Sequence, residues 1–164
     1  MIDLIVAIDA NRGIGKAGKL AWYVPLDLNH FKEFTLGRKI VMGYPTYCSL
    51  PVQPLPKRKN IVLSRKAFSL SGCTVYSSVS ELITSEGRDF VVCGGAIIYE
   101  LLLPYVDRVV LTRLKGVYEC DAFFTDFETD FHLVSIKECH CEESGEEFTI
   151  EVWVRNSEKC SLPS

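Results

Sequence analysis

The chain has 164 residues, of which 48% are hydrophobic and 24% are charged, a composition typical of one globular domain with an ordinary core. Its formal net charge of -3 argues against a nucleic-acid-binding surface. No apolar run approaches the roughly 20 residues that cross a bilayer, and the apolar segment 2–8 is too short for a secretory signal. We therefore expect a cytoplasmic monomer without nucleic-acid or membrane partners.

Seven cysteines are scattered along the chain without a CxxC pair, and reduced thiols are the simplest interpretation of an odd number. The segment Cys139-His140-Cys141 is a candidate for metal binding. On a strand, alternation would place the two cysteines on one face and the histidine on the other, which makes a poor chelate. We therefore expect no metal ion.

Strands alternate with helices along most of the chain. Short apolar runs predict strands at residues 2–8, 39–43, 60–66, 74–76, 90–94 and 108–114. Helix-start signals predict helices that begin near Pro25, Tyr44, Ser78 and Ala96. Gly37 and Pro104 are the expected helix stops, and residues 9–18 and 121–130 are expected loops.

The C-terminal part changes pattern. Apolar and polar residues alternate over residues 131–141 and 147–155, which predicts an antiparallel hairpin. The whole order predicts a single α/β domain over residues 1–155, with three αβα layers around a central, mostly parallel mixed sheet that the hairpin closes. Residues 156–164 are expected to form a loose C-terminal tail.

Asp27 lies in the first turn of the predicted helix that begins at Pro25, beside an apolar stripe of Leu28, Phe31 and Phe34. Acidic residues are common in first turns because they complement the helix dipole. A carboxylate on an apolar face can instead line a cleft and accept from a ligand with two adjacent N–H donors. The helix alone leaves both interpretations open.

Three predicted strands end in residues suited to anionic groups. Gly43 leads into a helix start that includes Thr46, the segment 64–66 carries a hydroxyl and two cations, and Gly94-Gly95 lets a backbone approach closely. Each pattern alone is compatible with an ordinary strand end. Together with Asp27, they suggest a long anionic cofactor across the carboxyl edge of the sheet, with a nitrogen-rich ring beside the carboxylate.

Two further segments fit beside such a cleft. The glycine-rich segment 13–18 lacks the ending of a phosphate loop and is interpreted as a mobile flap. The basic run 56–59 is too short for a nucleic-acid groove, but it could hold an anionic group of a smaller ligand.

Several separated motifs, in one order along residues 2–155, resemble the dihydrofolate reductase family. They are Gly13-Ile14-Gly15, Leu20-Ala21-Trp22, Pro25-x-Asp27-Leu28-x-x-Phe31, Met42-Gly43-x-x-Thr46, Pro54-Leu55-Pro56-x-Arg58-x-Asn60, Leu63-Ser64-Arg65, Gly94-Gly95-x-x-x-Tyr99 and Leu111-Thr112. Each motif is short enough to occur by chance, but the ordered set is highly specific.

The resemblance implies NADPH-dependent reduction of 7,8-dihydrofolate to 5,6,7,8-tetrahydrofolate, which supplies one-carbon and thymidylate metabolism. It implies hydride transfer to pterin C6 and protonation of N5 through water. Asp27 would accept from the pterin 2-amino group and N3, with support from the Thr112 hydroxyl. Arg58 would pair bidentately with the glutamate α-carboxylate, and Ser64 with Arg65 would hold the 2′-phosphate of NADPH.

The resemblance also implies three sets of site residues. The catalytic set is Asp27, Trp22, Thr112 and Tyr99. The dihydrofolate set is Ile5, Asp27, Leu28, Phe31, Lys32, Leu50, Leu55, Arg58, Cys93 and Thr112. The NADPH set is Ala7, Ile14, Gly15, Gly18, Lys19, Leu20, Gly43, Tyr44, Thr46, Leu63, Ser64, Arg65, Gly94, Gly95, Ala96, Ile97 and Ile98. A non-proline cis peptide bond is further implied between Gly94 and Gly95.

Three positions depart from the family pattern. Ala21 replaces a proline, which should loosen the flap. Tyr44-Pro45 replaces a pair that usually includes a basic residue, and Gln53 stands where a basic residue is common. Arg65 and Lys66 would then carry more of the preference for NADPH.

Two alternatives share parts of this pattern. The pyrimidinone reductase of riboflavin synthesis has the same fold and cofactor, but its substrate carries no glutamate carboxylate, so the joint presence of Asp27, Phe31 and Arg58 disfavours it. A catalytically silent domain that binds a nucleotide for a partner protein would not need this complete substrate set.

Overall fold

In the computed structural model, which describes residues 1–66 and 68–157, the elements follow the predicted order with two added strands. The strands are β1 (Ile2–Ile8), β2 (Gly13–Gly15), β3 (Lys39–Gly43), β4 (Lys59–Leu63), β5 (Cys73–Tyr76), β6 (Phe90–Gly94), β7 (Arg108–Leu114), β8 (Ala122–Phe123), β9 (Phe131–His140) and β10 (Glu147–Arg155). The helices are α1 (Pro25–Thr35), α2 (Tyr44–Ser49), α3 (Val79–Glu86) and α4 (Ala96–Leu102), and a 3-10 turn (Leu103–Tyr105) follows α4.

The main sheet has eight strands in the order β5-β4-β3-β6-β1-β7-β10-β9. Neighbours from β5 to β7 run parallel, whereas β10 is antiparallel to both β7 and β9. The predicted α/β fold, with a mostly parallel sheet and a C-terminal antiparallel hairpin, is confirmed. In open parallel sheets, ligands bind outside the carboxyl ends of the strands, so that edge is where a site is expected.

Helices cover both faces of the parallel strands. α1 and α2 pack on one face through Phe31 and Tyr47, and α3 and α4 pack on the other through Leu82 and Leu102. Ile5 of β1 belongs to the α1 and α2 side, while its neighbours in β1 belong to the other side. Burial on both faces explains why continuous apolar runs predict these strands.

Two predicted helix signals occur where expected. The Ser78 hydroxyl accepts from the backbone N–H of Glu81 at 3.1 Å and caps α3, and the Glu81 carboxylate accepts from the backbone N–H of Ser77 at 3.1 Å. This pair is a variant of the capping box, because the acid accepts from the N–H of the residue before the N-cap and not from the N-cap itself. Gly37, just after α1, has a φ of 74°, which glycine adopts without the penalty that a Cβ brings.

Two predictions of local structure are wrong. Residues 13–15 and 122–123, predicted as loops, pair as β2 and β8, with Gly13 opposite Phe123, and they are too short for a periodic signal. The predicted strand 60–66 ends at Leu63. Helix α4 ends at Leu102, just before the predicted stop at Pro104, and a 3-10 turn follows it.

The predicted tail 156–164 lies mostly outside the described residues. Asn156, its first residue, donates its backbone N–H to the Asp130 carbonyl at 2.9 Å, and its Oδ1 lies 2.9 Å from Nδ1 of His132. Asn156 is therefore bonded to the folded domain, and the tail itself stays a prediction.

The described cysteines are all free thiols: Cys48, Cys73, Cys93, Cys120, Cys139 and Cys141. Across residues 1–66 and 68–157, no group of three or more His, Cys, Asp or Glu side chains could hold a metal ion. Each helix in the same residues is too short or too polar to cross a membrane.

Candidate active site

A cleft of about 1380 Å³ opens at the carboxyl edge of the sheet, and it is lined by residues of α1, α2 and α4. Every residue in the three predicted sets lines it. The cleft also has lining residues that were not predicted: Val6, Tyr23, Pro45, Ser49, Pro51, Ser77, Ser78, Val79, Leu101, Tyr105, Asp121 and Ala122. Five of these, Val6, Tyr23, Pro45, Ser49 and Pro51, adjoin a predicted residue along the chain, whereas Asp121 and Ala122 come from the region of β8 that was predicted as loop.

Asp27 lies in the wall of this cleft at the third position of α1, and it is only 8% exposed. Thr112 of β7 donates its hydroxyl to Asp27 Oδ1 at 2.7 Å. Among the described residues, no group donates to Asp27 Oδ2. The second carboxylate oxygen is therefore available to a ligand, which favours the cleft interpretation over a simple helix-dipole role.

Burial raises the pKa of Asp27 above its ordinary value. The Thr112 hydrogen bond and the nearby His30 act in the opposite direction, and they do not cancel the effect of burial. A desolvated carboxylate with one neutral partner favours either a proton or a ligand that offers N–H donors.

Tyr99 of α4 was predicted in the catalytic set, but its hydroxyl is occupied by the backbone. It lies 2.8 Å from the Ile5 carbonyl and 3.0 Å from the Cys93 carbonyl, so it ties α4 to β1 and β6. Burial raises its pKa well above the usual range, which keeps the phenol neutral. The Tyr99 hydroxyl therefore holds α4 against the sheet, and its predicted part in catalysis stays a prediction.

Two glycines leave room where α2 and α4 meet the sheet. A Cβ on Gly43 would lie 2.9 Å from Ile98, and a Cβ on Gly95 would lie 3.3 Å from the Thr46 hydroxyl. The Gly94–Gly95 peptide bond is cis, as the resemblance implied. A side chain at either position would fill this part of the cleft, so the glycines fit a pyrophosphate that needs close backbone approach.

The charge of the cleft is mainly positive. Its cations are Lys19, Lys32, Arg58 and Arg65, and none of them pairs with a carboxylate in the described parts of the chain. The acids that line it are Asp27 and Asp121. Unpaired cations in a cleft attract anionic ligands, so the electrostatics fit both a phosphorylated cofactor and a substrate with carboxylates.

Arg58 is held in a fixed orientation. Its Nε donates to the Pro56 carbonyl at 2.9 Å and its Nη1 donates to the Thr35 hydroxyl at 3.1 Å. The Asn60 side chain fixes the loop that carries Arg58. Its Oδ1 accepts the Leu55 N–H at 2.9 Å, and its Nδ2 donates to the Leu55 carbonyl at 2.9 Å and to the Arg58 carbonyl at 3.0 Å. Burial lowers the pKa of Arg58, but a guanidinium stays charged in proteins.

The flap is anchored by an acid that sequence reasoning missed. Asp121 accepts the Ala17 N–H on its side chain at 3.0 Å and donates its own N–H to the Gly15 carbonyl at 2.9 Å. Trp22, at the end of the flap, is buried and packs on Tyr118 with 5.4 Å between ring centres. Its Nε1 is buried and has no hydrogen-bond partner among the described residues.

Comparison with known proteins agrees with this geometry. The family model for dihydrofolate reductase matches residues 1–155. The chain belongs to the dihydrofolate reductase family. The dihydrofolate reductase of Bacillus subtilis is 44% identical to it over 82% of each chain. The dihydrofolate reductase of Mycobacterium tuberculosis is also 44% identical, over 70% of this chain and 71% of its own.

A solved structure agrees as well. Dihydrofolate reductase from Enterococcus faecalis, complexed with NADP(H) and RAB-propyl, superposes with a TM-score of 0.89 at 30% identity and covers 95% of this chain and 96% of its own. These matches confirm the resemblance to dihydrofolate reductase. The chain is an oxidoreductase of that family, and the cofactor of the family is NADPH.

Proposed function

We propose that this chain reduces 7,8-dihydrofolate to 5,6,7,8-tetrahydrofolate with NADPH, using Asp27 to orient the pterin. The observation that carries this proposal is the buried Asp27–Thr112 pair in a cleft with unpaired cations. One Asp27 oxygen is held by Thr112 and the other accepts from the ligand, so the carboxylate fits the adjacent donors of the pterin 2-amino group and N3.

NADPH, when bound, supplies the hydride that goes to pterin C6. Gly43, Thr46 and Gly95 leave room for its pyrophosphate at the ends of β3 and β6, and Ser64 with Arg65 fits the 2′-phosphate. The same cleft is lined by residues of the flap and just after it, and by the start of α4: Ile14, Gly15, Gly18, Lys19, Leu20, Ala96, Ile97 and Ile98.

The proton reaches N5 through water. Asp27 binds the opposite side of the pterin ring, and Tyr99 is committed to backbone carbonyls, so neither side chain donates to N5 directly. Asp27 instead raises the basicity of the bound ring, and the flap with Trp22 limits the water that enters.

Arg58 fits the far end of the substrate. Its guanidinium is oriented by Pro56 and Thr35 and has no acidic partner among the described residues, so it can pair bidentately with the glutamate α-carboxylate. Phe31, Leu50 and Leu55 form the apolar wall for the rings between Asp27 and Arg58.

The same proposal includes the wider setting. Residues 1–155 act as one catalytic domain, and the protein works as a monomer in the cytoplasm without a nucleic-acid partner. The net charge of -3 and the absence of a helix that could cross a membrane in the described residues support this setting.

The test is the loss of NADPH absorbance when dihydrofolate is added to the purified protein, run beside NADH and the Asp27→Asn variant. Oxidation that requires both dihydrofolate and Asp27 is the expected result. A folded protein that binds NADPH but does not oxidise it would overturn the proposal, and it would favour a riboflavin-pathway substrate or a silent nucleotide-binding domain.

A further inference from the structure

The segment 35–38, at the end of α1, is bonded to the loop that carries Arg58. The Thr35 hydroxyl accepts from Arg58 Nη1 at 3.1 Å. The residues that flank Arg58 are bonded to the same segment through their main chains, with the Gly37 N–H 2.8 Å from the Lys57 carbonyl and the Lys59 N–H 3.1 Å from the Arg38 carbonyl. The segment therefore holds both the side chain of Arg58 and the backbone on either side of it.

The side chain of Arg38 is fixed by a buried acid near the start of β1. Its Nη2 donates to Asp3 Oδ2 at 2.8 Å, and its guanidinium lies over the Phe34 ring, 5.0 Å from the ring centroid. The Asp3 side chain is only 1% exposed. A carboxylate at this depth is stable where charged partners surround it, so the ion pair anchors the segment 35–38 to the sheet.

Arg108, the first residue of β7, binds the same carboxylate. Its Nε and Nη2 donate to the two oxygens of Asp3, both at 2.8 Å, and its guanidinium lies 5.8 Å from the Phe34 centroid. Arg108 thus makes two bonds to Asp3 where Arg38 makes one. Its main chain pairs with β1 and β10, whereas the main chain of Arg38 meets the Arg58 loop. Neither arginine is among the described residues that line the cleft.

We propose that Arg38 is a positioning residue for Arg58, because its ion pair with Asp3 anchors the segment that orients the Arg58 guanidinium. The inference rests on the proposed role of Arg58 in binding the glutamate α-carboxylate of dihydrofolate. The other side-chain bond of Arg58 goes to Pro56 in its own loop, so the segment 35–38 is what relates the guanidinium to α1. Since α1 also carries Asp27, this segment sets the distance between the two ends of the substrate site. A bidentate pair depends on the direction of both N–H groups, so a loosened segment weakens it.

Two matched substitutions separate positioning from stability. Arg38→Gln and Arg108→Gln each remove one guanidinium from Asp3 and leave the other. Arg38→Lys keeps a cation that can donate to Asp3, and it serves as the conservative rescue. Each variant is measured for KM with dihydrofolate and with a dihydropterin that lacks the glutamate tail, for amide hydrogen exchange at Gly37 and Lys59, and for urea unfolding.

Arg38→Gln should raise the KM for dihydrofolate roughly threefold to tenfold, the scale of one hydrogen bond, and leave the KM for the tail-less substrate within about twofold. Exchange at Gly37 and Lys59 should become faster, and Arg38→Lys should recover most of both losses. Arg108→Gln should lower stability at least as much as Arg38→Gln, because it removes two bonds to Asp3 in place of one. Both of its KM values should nevertheless stay within about twofold of the native values, since its main chain does not meet the Arg58 loop.

An equal rise in KM for the two substrates, or an equal rise in Arg38→Gln and Arg108→Gln, would overturn the proposal, because either result would show a general loss of stability. Native exchange at Gly37 and Lys59 in Arg38→Gln would overturn it as well. Amide exchange needs no turnover, so it tests the anchoring of the segment even where the native protein fails to reduce dihydrofolate. Where Arg38→Gln does not fold, Asp3→Asn decides by the ratio of the two KM values: a raised ratio supports the proposal, and a native ratio overturns it.

Discussion

Thr112 and Asp27 join the sheet to the helix in front of it through one hydrogen bond, 2.7 Å long, between two buried side chains. Thr112 is 2% exposed and Asp27 is 8% exposed. A neutral hydroxyl alone does not compensate for the desolvation of a carboxylate. Asp27 can therefore bind a ligand that brings further donors. Its desolvation is the cause of its raised pKa, and the first two predictions follow from it.

Asp27→Asn should lower kcat at neutral pH by at least about 100-fold, because an amide cannot bind the two adjacent pterin donors or raise the basicity of N5. The rate should recover in part as the pH falls, since N5 of dihydrofolate is then protonated in solution. The measurement is kcat and kcat/KM of both proteins across the acid to neutral range. A variant rate that stays flat toward acid would count against a positioning role for Asp27.

The same substitution should stabilise the ligand-free protein at alkaline pH. Burial raises the pKa of Asp27 in the folded state, so at a pH between the unfolded and the folded pKa the folded state binds more protons than the unfolded state. The free energy of unfolding of the native protein therefore falls as the pH rises from the unfolded pKa through the folded pKa. Asn carries no charge, so Asp27→Asn lacks this loss. Urea unfolding of both proteins at acid and alkaline pH tests this, and equal slopes with pH would contradict it.

Arg58→Lys should raise the KM for dihydrofolate by roughly 10-fold to 100-fold with little change in kcat, because a lysine offers a point charge where a guanidinium offers two parallel donors. A dihydropterin without a glutamate tail is the control substrate. Its kinetics should be the same in both proteins. Equal losses with the two substrates would show that Arg58 supports the loop and not the carboxylate.

Arg65→Gln should weaken NADPH binding by roughly 10-fold or more and leave NADH binding within about twofold, because only NADPH carries the 2′-phosphate. Tyr44-Pro45 supplies no cation beside it, so native discrimination between the cofactors depends on Arg65. Lys66→Gln is the comparison, since Lys66 lines a separate small pocket with Phe68 and Tyr76 and should have the smaller effect. The reverse order of effects would move the phosphate site to Lys66.

The parallel strands and the helix starts were predictable from local patterns. Strands such as residues 2–8 are buried on both faces and therefore read as continuous apolar runs. Pro25 and Ser78 mark helix starts through their own backbone chemistry. The residues of the cleft were predictable because short motifs of this family keep their order along the chain, and the structure places all of the residues so assigned along one cleft.

What the sequence could not show depends on contacts between distant segments. β2 and β8 are two or three residues long, and their pairing joins Gly13 to Phe123 across most of the chain. The two backbone carbonyls that surround the Tyr99 hydroxyl come from β1 and β6, and no local pattern shows that they meet it. Asp121 looks like an ordinary loop acid until its bonds to the flap are known.

Glu86 provides a stability test away from the cleft. Its carboxylate is buried and receives Lys59 Nζ at 2.8 Å and the Tyr76 hydroxyl at 2.5 Å, and Lys39 Nζ lies 3.5 Å away. Burial alone would raise the pKa of Glu86, but these donors outweigh it and lower the pKa below its usual value. Lys39 and Lys59 begin β3 and β4, at the edge of the sheet opposite the cleft.

Glu86→Gln should therefore lower the free energy of unfolding by about 1–3 kcal/mol at neutral pH, the range for hydrogen bonds to a buried charged group. A carboxyl with a lowered pKa stabilises the fold above its unfolded pKa, and this contribution is lost as pH falls through the folded pKa. The two proteins should thus converge in stability in acid. Urea unfolding at several pH values measures the difference. At temperatures where both proteins are folded, kcat with dihydrofolate should not change, because the bonds of Glu86 among the described residues do not reach the cleft. A stability difference that persists unchanged in acid would show that packing, and not charge, is what Glu86 contributes.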